Sequence, residues 1–310
     1  MAEMAAPLVA HTRVPILASL MVFGAGLVWS LGALTTRLST STDAWQYLIW
    51  RSVGIVVVME VITRLRGRRS ALVEAYTSGW LMITACLSLW LASVAFIYAL
   101  KNTTAANTAF LASVTPLVAV ILARIFLGER LTRVTVGAIA LALVGLAIMV
   151  SADLGAGRMS GNVAAVLSSV GFASYTVCIR ARPAQDWSPV LPGYGSMMIV
   201  ICSIVTIFNG RPLVPPAIDA AYALFHGGVL IVLGTILFNI ASRTVPAVAM
   251  TVLAQSETVF VPVWVFLAFG EQPGLITLIG AAIILTAVVG KAALDARPGE
   301  PASHRAVPGA

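Results

Sequence analysis

Long apolar stretches recur along the whole chain, each of about 20 residues, with short polar segments between them. A helix needs about 20 predominantly apolar residues to cross the hydrocarbon core, whereas a barrel strand needs ~10 and alternates in polarity. These stretches do not alternate, so they predict an all-α membrane protein. The ten predicted transmembrane helices cover residues 14–35, 44–62, 80–100, 105–126, 134–150, 161–179, 192–208, 218–241, 247–269 and 274–294.

The composition agrees with a chain surrounded mostly by lipid. Apolar residues occupy 59% of the 310 positions and charged residues only 10%, whereas a soluble domain has about 25% charged residues. The three cysteines, Cys86, Cys178 and Cys202, lie in apolar stretches and are expected to be buried packing residues. Residues 1–13 and 295–310 remain as tails, and the second, rich in Pro, Ala and Gly, is expected to be disordered.

The distribution of Lys and Arg predicts the orientation of the chain. With the N-terminus in the cytoplasm, 14 of the 19 basic residues fall on the inner side and four on the outer side, while Arg51 lies within the second helix. Basic loops resist translocation, so both termini are expected in the cytoplasm. The same bias explains the net charge of +7 without a nucleic-acid partner.

A repeat relates the two halves of the chain. When the chain is shifted along itself until Phe96 meets Phe238, the further matches include Lys101 with Arg243, Gly128 with Gly270 and Glu129 with Glu271. We call this alignment the first register. In a second register, the shift along the chain is one residue longer, and Arg37 aligns with Arg180. Each unit, residues 14–150 and 161–294, holds five predicted helices, so the second unit enters the membrane from the opposite side. Inverted repeats are a recurring construction of secondary carriers, in which two halves move around one central site.

The residues at these repeats resemble a known family. The sequence FLGERLTR at 126–133, preceded by TPLVAVILA with Pro116, resembles EamA-type carriers of the drug/metabolite transporter superfamily, and LAFGEQPGLITLIG at 267–280 is a weaker copy. The segments GLVWSLGALTTR and GFASYTVCIRA are also similar to that family, as is Arg51. The resemblance implies ten helices in a bacterial inner membrane and export of amino acids or related metabolites, most similar to the aromatic amino acid exporters.

A polar group in the middle of the membrane is the first candidate for a binding site. An ionisable side chain there costs about 2.5–3.5 kcal/mol to insert. Glu257 lies in the middle of the ninth predicted helix, beside Gln255, and the first register places this pair opposite Thr115 and Ser113. Carriers of this construction bind substrate at that depth. Glu257 could bind a substrate ammonium group or carry a proton; alternatively, it is a carboxyl group that bridges helices.

Arg51 and several aromatic residues are further candidates. Arg51 could attract a substrate carboxylate through its guanidinium group, or it could extend to the membrane surface or cap backbone carbonyls. Trp90 could stack on an aromatic or cationic ligand, with Tyr98 and Tyr175 along the path, or it could fill a helix interface. Tyr194, near a predicted helix end, is expected in the interfacial aromatic belt.

Other polar and special residues favour structural roles. His226 is expected to be a hydrogen-bonding packing residue, and Glu60 to form an ion pair with the Arg-rich segment at 64–69. In the two Gly-Glu pairs, the Gly is expected to end one helix in a left-handed conformation and the Glu to lie at the start of the next. Pro116 and Pro262 free backbone carbonyls and predict bends beside the site, although their distances from the Gly-Glu pairs differ.

The residues argue against other functional classes. His226 is the one histidine outside the tails, no paired carboxylates occur, and no phosphate-binding Gly-rich motif is present. We therefore expect no enzyme, no cofactor and no metal. The predicted function is export of aromatic and other neutral amino acids by alternating access, and the alternative is efflux of cationic or aromatic drugs. The expected partners are a small-molecule substrate and the lipid bilayer, and small residues in helices five and ten would permit a homodimer.

Overall fold

The computed structural model describes residues 16–127, 133–151, 158–182, 184–241, 253–254 and 256–295. Within these ranges every regular element is a helix. The helices are α1 (Ile16–Ser30), α2 (Gly32–Leu38), α3 (Ala44–Leu65), α4 (Ala71–Thr77), α5 (Trp80–Asn102), α6 (Ala105–Ala112), α7 (Thr115–Leu127), α8 (Arg133–Ser151), α9 (Met159–Ala181), α10 (Val190–Phe208), α11 (Ala217–Phe225), a π-helix (His226–Ile231), α12 (Val232–Ala241), α13 (Ser256–Phe269) and α14 (Leu275–Asp295).

Within the described residues, six helical segments are long and apolar enough to cross a membrane. They are Ile16–Leu38, Trp80–Asn102, Ala105–Phe126, Met159–Ile179, Val190–Phe208 and Ala217–Ala241, and shorter apolar helices cover Val136–Ile148, Ser256–Phe269 and Leu275–Gly290. Large apolar side chains are exposed on the outside of the bundle, as in Leu17, Phe126 and Phe208. An all-helical membrane architecture is therefore confirmed. The short helix α4 was not predicted.

Side chains fix the starts of several helices. The Asp43 carboxylate accepts a hydrogen bond from the Gln46 N–H at 2.9 Å, and the Gln46 side chain accepts from the Asp43 N–H, so that α3 begins with a capping box. The Thr104 hydroxyl accepts from the Asn107 N–H at 3.1 Å and begins α6 shortly after α5 ends. These caps satisfy N–H groups that have no partner within the helix.

Helix packing follows the repeat. The helices α3 and α10, which correspond in the two halves, pack against each other, and so do α8 and α14. The contact between α5 and α9 is matched by the one between α1 and α12. A two-repeat architecture therefore fits the structure, with equivalent helices meeting at the boundary between the halves.

Candidate functional site

A cavity of about 180 Å³ lies between helices of the two halves. Its lining residues are Trp29, Arg51, Leu89, Ala92, Ser93, Phe96, Ala109, Ala112, Thr115, Pro116, Ser168, Phe172, Tyr194, Ile231, Phe238, Ala254, Glu257 and Thr258. Arg51 and Glu257 are the charged members of this set, and each belongs to a different half. We call this space the central cavity.

Most of the lining consists of residues that correspond in the two repeats. Seven pairs follow the registers found in the sequence: Trp29 with Phe172 and Arg51 with Tyr194 in the second register, and Leu89 with Ile231, Phe96 with Phe238, Ala112 with Ala254, Thr115 with Glu257 and Pro116 with Thr258 in the first. The central cavity therefore lies where an approximate two-fold axis between the halves would pass. The two charges break this symmetry, because the residue equivalent to each of them in the other repeat is neutral.

Arg51 is almost completely buried in the middle part of α3. Its guanidinium group donates a hydrogen bond to the Ser93 hydroxyl of α5, and its Nε has no partner among the described residues. The π-helix brings Gly227 against the Arg51 carbonyl so closely that a Cβ at Gly227 would overlap it. A wide π turn with glycine thus allows α3 to approach this helix. The unpartnered Nε leaves hydrogen-bonding capacity for an anion beside the cavity.

Glu257 reaches the cavity from the start of α13. The neighbouring Ser256 hydroxyl donates to the Phe23 carbonyl of α1 at 3.0 Å. Gly26 of α1 lies against the Ser256 side chain and the Ala254 carbonyl, and a Cβ there would meet that carbonyl at 2.9 Å. This close approach fixes the backbone on which Glu257 sits. Its carboxylate has no hydrogen bond or ion pair within the described part of the chain.

The break between α6 and α7 places Thr115 and Pro116 in the lining. Proline has no N–H, so the Ala112 carbonyl four residues earlier lacks its helical hydrogen bond. That carbonyl instead accepts from the Thr115 hydroxyl at 2.7 Å and from the Ser169 hydroxyl of α9 at 3.3 Å. Pro262, by contrast, lies inside α13 without a break in that helix.

Four aromatic residues form an apolar wall of the cavity. The ring centroids of Trp29 and Phe172 are 6.2 Å apart, edge to face, and those of Trp29 and Phe238 are 5.5 Å apart. Phe172 and Phe238 are 6.3 Å apart, and Phe96 completes the wall. Sequence reasoning missed this wall as a site, although the first register already aligned Phe96 with Phe238 and the second relates Trp29 to Phe172.

The other predicted site residues lie elsewhere. Ser113 is 1% exposed, and its hydroxyl donates to the Phe110 carbonyl at 2.7 Å, outside the cavity lining. Trp90 and Tyr175 pack in the hydrophobic core around α3, α5, α9 and α10, and neither indole N–H nor phenol has a hydrogen-bond partner among the described residues. Tyr98 lines a second, polar cavity of about 650 Å³ beside Lys101. Gln255 lies outside the described residues.

Tyr194 was assigned wrongly to the interfacial belt. It is 3% exposed and lines the central cavity together with Glu257 of the same half. Its helix, α10, begins at Val190 and packs against α3, so a residue near a helix end faces another helix and not lipid. Proximity to the end of an apolar stretch therefore did not establish contact with the membrane surface.

His226 and Glu60 make structural contacts. The His226 Nδ1 lies 2.9 Å from the Tyr47 hydroxyl, which in turn donates to the Thr35 hydroxyl at 2.9 Å. This chain of contacts joins α2, α3 and the π-helix outside the cavity lining. The Glu60 carboxylate accepts from the Leu72 N–H of α4 at 2.7 Å and lies 4.0 Å from Arg64.

The two residues of the second Gly-Glu pair have different structural roles. Gly270 has a positive φ of 68° and follows the end of α13, as the sequence predicted. Glu271, however, does not lie at the start of its own next helix. Its carboxylate accepts from the Ala105 N–H at 2.8 Å, and so it binds the start of α6 instead. The pair Gly128 and Glu129 lies outside the described residues.

Among the described residues, no three His, Cys, Asp or Glu side chains group as metal ligands would.

Comparison with models of known protein families identifies the family of this chain. The model of the EamA-like transporter family matches residues 16–151 and 159–291, one match in each half. The chain is 24% identical over 196 residues to the pseudopaline exporter CntI of Pseudomonas aeruginosa, in two strains, covering 63% of this chain and 69% of the relative.

A solved structure, described only as a crystal structure of a protein, shares the fold. It has a TM-score of 0.66 and 21% identity, with 91% of this chain and 99% of the other covered. The resemblance stated from the motifs is thus confirmed by a family match to both halves of the chain. The chain belongs to the EamA-like transporter family, and it is a multi-pass membrane transporter of small molecules and not an enzyme.

Proposed function

We propose that this protein exports amino acids, aromatic and other neutral ones, from the bacterial cytoplasm by alternating access. The observation that carries the proposal is the central cavity, in which Arg51 of one half and Glu257 of the other face a space walled by aromatic rings. A free amino acid carries one carboxylate, one ammonium group and one side chain. The cavity offers one complementary surface to each of them.

The two charges suit a zwitterion. The guanidinium group of Arg51, with a free Nε, can hold a carboxylate through charge-assisted hydrogen bonds. Glu257, with no partner among the described residues, can hold the ammonium group. Charged pairs interact much more strongly in a low-dielectric interior than in water, so a substrate that supplies both charges offsets the cost of burying these side chains.

The apolar wall suits the substrate side chain. Trp29, Phe172 and Phe238 already contact each other edge to face or tilted, which is the arrangement that aromatic rings prefer. One more ring added to such a cluster gains roughly 0.5–1.5 kcal/mol beyond its buried area. An aromatic amino acid therefore benefits more than threonine or alanine, which could still bind through their charges.

The size of the cavity favours amino acids over the alternative, efflux of drugs. At about 180 Å³ it is smaller than the roughly 300–1,000 Å³ of pockets that hold drug-sized ligands. A cationic drug would also meet Arg51 as a like charge. The aromatic wall together with Glu257 nevertheless fits a small aromatic cation, which keeps that alternative a defined outcome of the test.

The repeat supports alternating access. The seven symmetric pairs of the lining support a site between two similar halves, residues 14–150 and 161–294, each with five helices in our assignment. The excess of Lys and Arg on one side supports cytoplasmic termini in the inner membrane. The direction, export, is supported by the relative named as a pseudopaline exporter. Gly145 of α8 packs against Gly280 of α14 within the chain, whereas Gly137 and Gly290 of the same helices border open space that a second copy could fill.

Transport by the purified protein in liposomes tests this function. The panel contains labelled phenylalanine, tryptophan, threonine and lysine and one toxic aromatic cation, each with and without a pH gradient. We expect saturable movement of the neutral amino acids, with phenylalanine and tryptophan ahead of threonine. Movement of the cation alone would contradict the proposal and favour drug efflux. Empty liposomes serve as the control, and the pH comparison shows whether protons are coupled.

A further inference from the structure

A three-part contact joins the two halves at one end of the bundle. At the end of α2, the Arg37 Nη2 lies 3.2 Å from Glu271 Oε2. The same Nη2 donates to the Thr103 carbonyl at 2.8 Å, in the turn between α5 and α6. The Glu271 carboxylate also accepts the Ala105 N–H at 2.8 Å. Both charged side chains are about one quarter exposed, so water screens this contact only in part.

Neighbouring hydrogen bonds extend the contact across the boundary between the halves. The Thr103 hydroxyl donates to the Asn162 side chain at 2.8 Å, which joins the turn after α5 to the start of α9. The Thr277 hydroxyl of α14 donates to the Asn107 side chain of α6 at 3.2 Å. First-half residues thus bind second-half residues at three places within one region.

This region lies beyond the central cavity in one direction along every helix that connects them. On α1 and α2, Arg37 is eight residues past Trp29, about 12 Å along a helix. On α6, Ala105 precedes the lining residue Ala112 by about 10 Å. Glu271 follows α13, and Glu257 lies at the opposite end of that helix. The contact therefore stands between the central cavity and one surface of the membrane.

We propose that Arg37, Glu271 and the Ala105 N–H form a latch that keeps the central cavity closed at this end and must open before substrate passes there. The inference rests on the alternating access of the proposed function. Two halves can separate at one end only if the bonds that join them there break. By the second and the first register respectively, Arg37 and Glu271 correspond to Arg180 and Glu129 of the other repeat.

Accessibility of a cysteine in the central cavity tests the latch without any substrate. Ala112→Cys provides the reporter, and the three native cysteines are buried, so their background labelling is low. A membrane-impermeant thiol reagent is applied separately from each side, in right-side-out and inverted vesicles. The latch variants are Arg37→Gln and Glu271→Gln, singly and together. Glu60→Gln is the matched control, since the Glu60–Arg64 pair lies within the first half and outside the latch.

The latch predicts a labelling rate that rises about ten-fold from one side only, in both single variants, with no further rise in the double variant. Glu60→Gln should not change the labelling rate from either side. Unchanged rates in the single variants, or an equal rise from both sides, would overturn the proposal. If the Gln variants do not fold, Ala105→Pro is used instead, because it removes the N–H that binds Glu271. Proline is tolerated at this position, since Ala105 is the first residue of α6 and Thr104 is already extended. If the native protein does not transport amino acids but the labelling results are as predicted, the proposed substrate is refuted and the latch is not.

Discussion

Thr115 and Glu257 occupy equivalent positions in the two repeats, related by the first register, and both line the central cavity. The same is true of Arg51 and Tyr194 in the second register. In each pair one half contributes a charge and the other a neutral polar group. The frame of the cavity is therefore symmetric, while its electrostatics have one positive and one negative pole. This polarity is the basis on which we assign a zwitterionic substrate.

The carboxylate of Glu257 should be essential for binding the substrate ammonium group. Removing one partner of a buried charge pair typically costs about 2–5 kcal/mol. We expect Glu257→Gln to raise the KM for phenylalanine at least about 30-fold in liposome uptake, which corresponds to ~2 kcal/mol. Glu60→Gln is the matched control, because the Glu60 carboxylate binds the start of α4, outside the cavity lining. Unchanged uptake in Glu257→Gln would remove the ammonium assignment.

The guanidinium group of Arg51 should discriminate amino acids from amines. Phenethylamine is phenylalanine without its carboxylate, so it cannot use Arg51. We expect Arg51→Gln to weaken inhibition by phenylalanine about 10-fold or more and to leave inhibition by phenethylamine unchanged or stronger. Arg51→Lys should recover only part of the difference, because an ammonium group lacks the planar fork. An equal loss for both compounds would indicate that Arg51 supports the fold and not the substrate.

The aromatic wall should set the preference among neutral amino acids. Trp29→Ala removes the ring that contacts both Phe172 and Phe238. We expect the ratio of kcat/KM for tryptophan to that for threonine to fall about 3- to 10-fold, the equivalent of a lost ring contact of roughly 1 kcal/mol. Trp90→Ala deletes a ring outside the lining and should leave this ratio unchanged. If Trp90→Ala lowers the ratio and Trp29→Ala does not, the stacking site lies at Trp90.

The ion pair between Arg68 and Asp186 should stabilise the protein at neutral pH and lose that effect in acid. Burial alone would raise the pKa of Asp186, but hydrogen bonds from Ser188 and the charge of Arg68 outweigh it and hold that pKa below its ordinary value. A depressed carboxyl pKa adds stability above its unfolded value, and this is lost as pH falls through the folded value. The melting temperature of Arg68→Gln in detergent should therefore be slightly lower than that of the native chain at pH 7. The gap should shrink as the pH falls below the ordinary aspartate pKa of about 3.9; a gap that widens in acid would contradict the assignment.

Hydropathy and the repeat predicted most of the architecture, because lipid imposes helix length and composition on each segment. They also led to Arg51, Thr115, Pro116 and Glu257, which the structure brings into one cavity. Depth in the membrane did not reveal which face of a helix points inward. A helix that is apolar all round carries no pattern that distinguishes a lipid face from a packed one.

That ambiguity explains why the sequence pointed to Trp90 and not to Trp29 as a site residue. Trp90 and Trp29 are both tryptophans within apolar stretches, yet of these two Trp29 is the one that lines the cavity. The repeat contained the missing information, since Trp29 and Phe96 each have an aromatic counterpart in the other half and Trp90 has Val232. Local features such as α4, the π-helix at 226–231 and the binding of Glu271 to α6 depend on tertiary contacts that no periodicity encodes.

Competition by substrate analogues tests the central claim most directly. Labelled phenylalanine counterflow is measured in liposomes that hold the native protein, with unlabelled phenylalanine, phenethylamine or 3-phenylpropionate as competitor. The first analogue lacks the carboxylate that Arg51 would bind, and the second lacks the ammonium group that Glu257 would bind. We expect both analogues to inhibit at least about 10-fold more weakly than phenylalanine, since each leaves one buried charge without a partner. Inhibition by phenethylamine equal to or stronger than that by phenylalanine would contradict a zwitterion site and indicate a cation site instead.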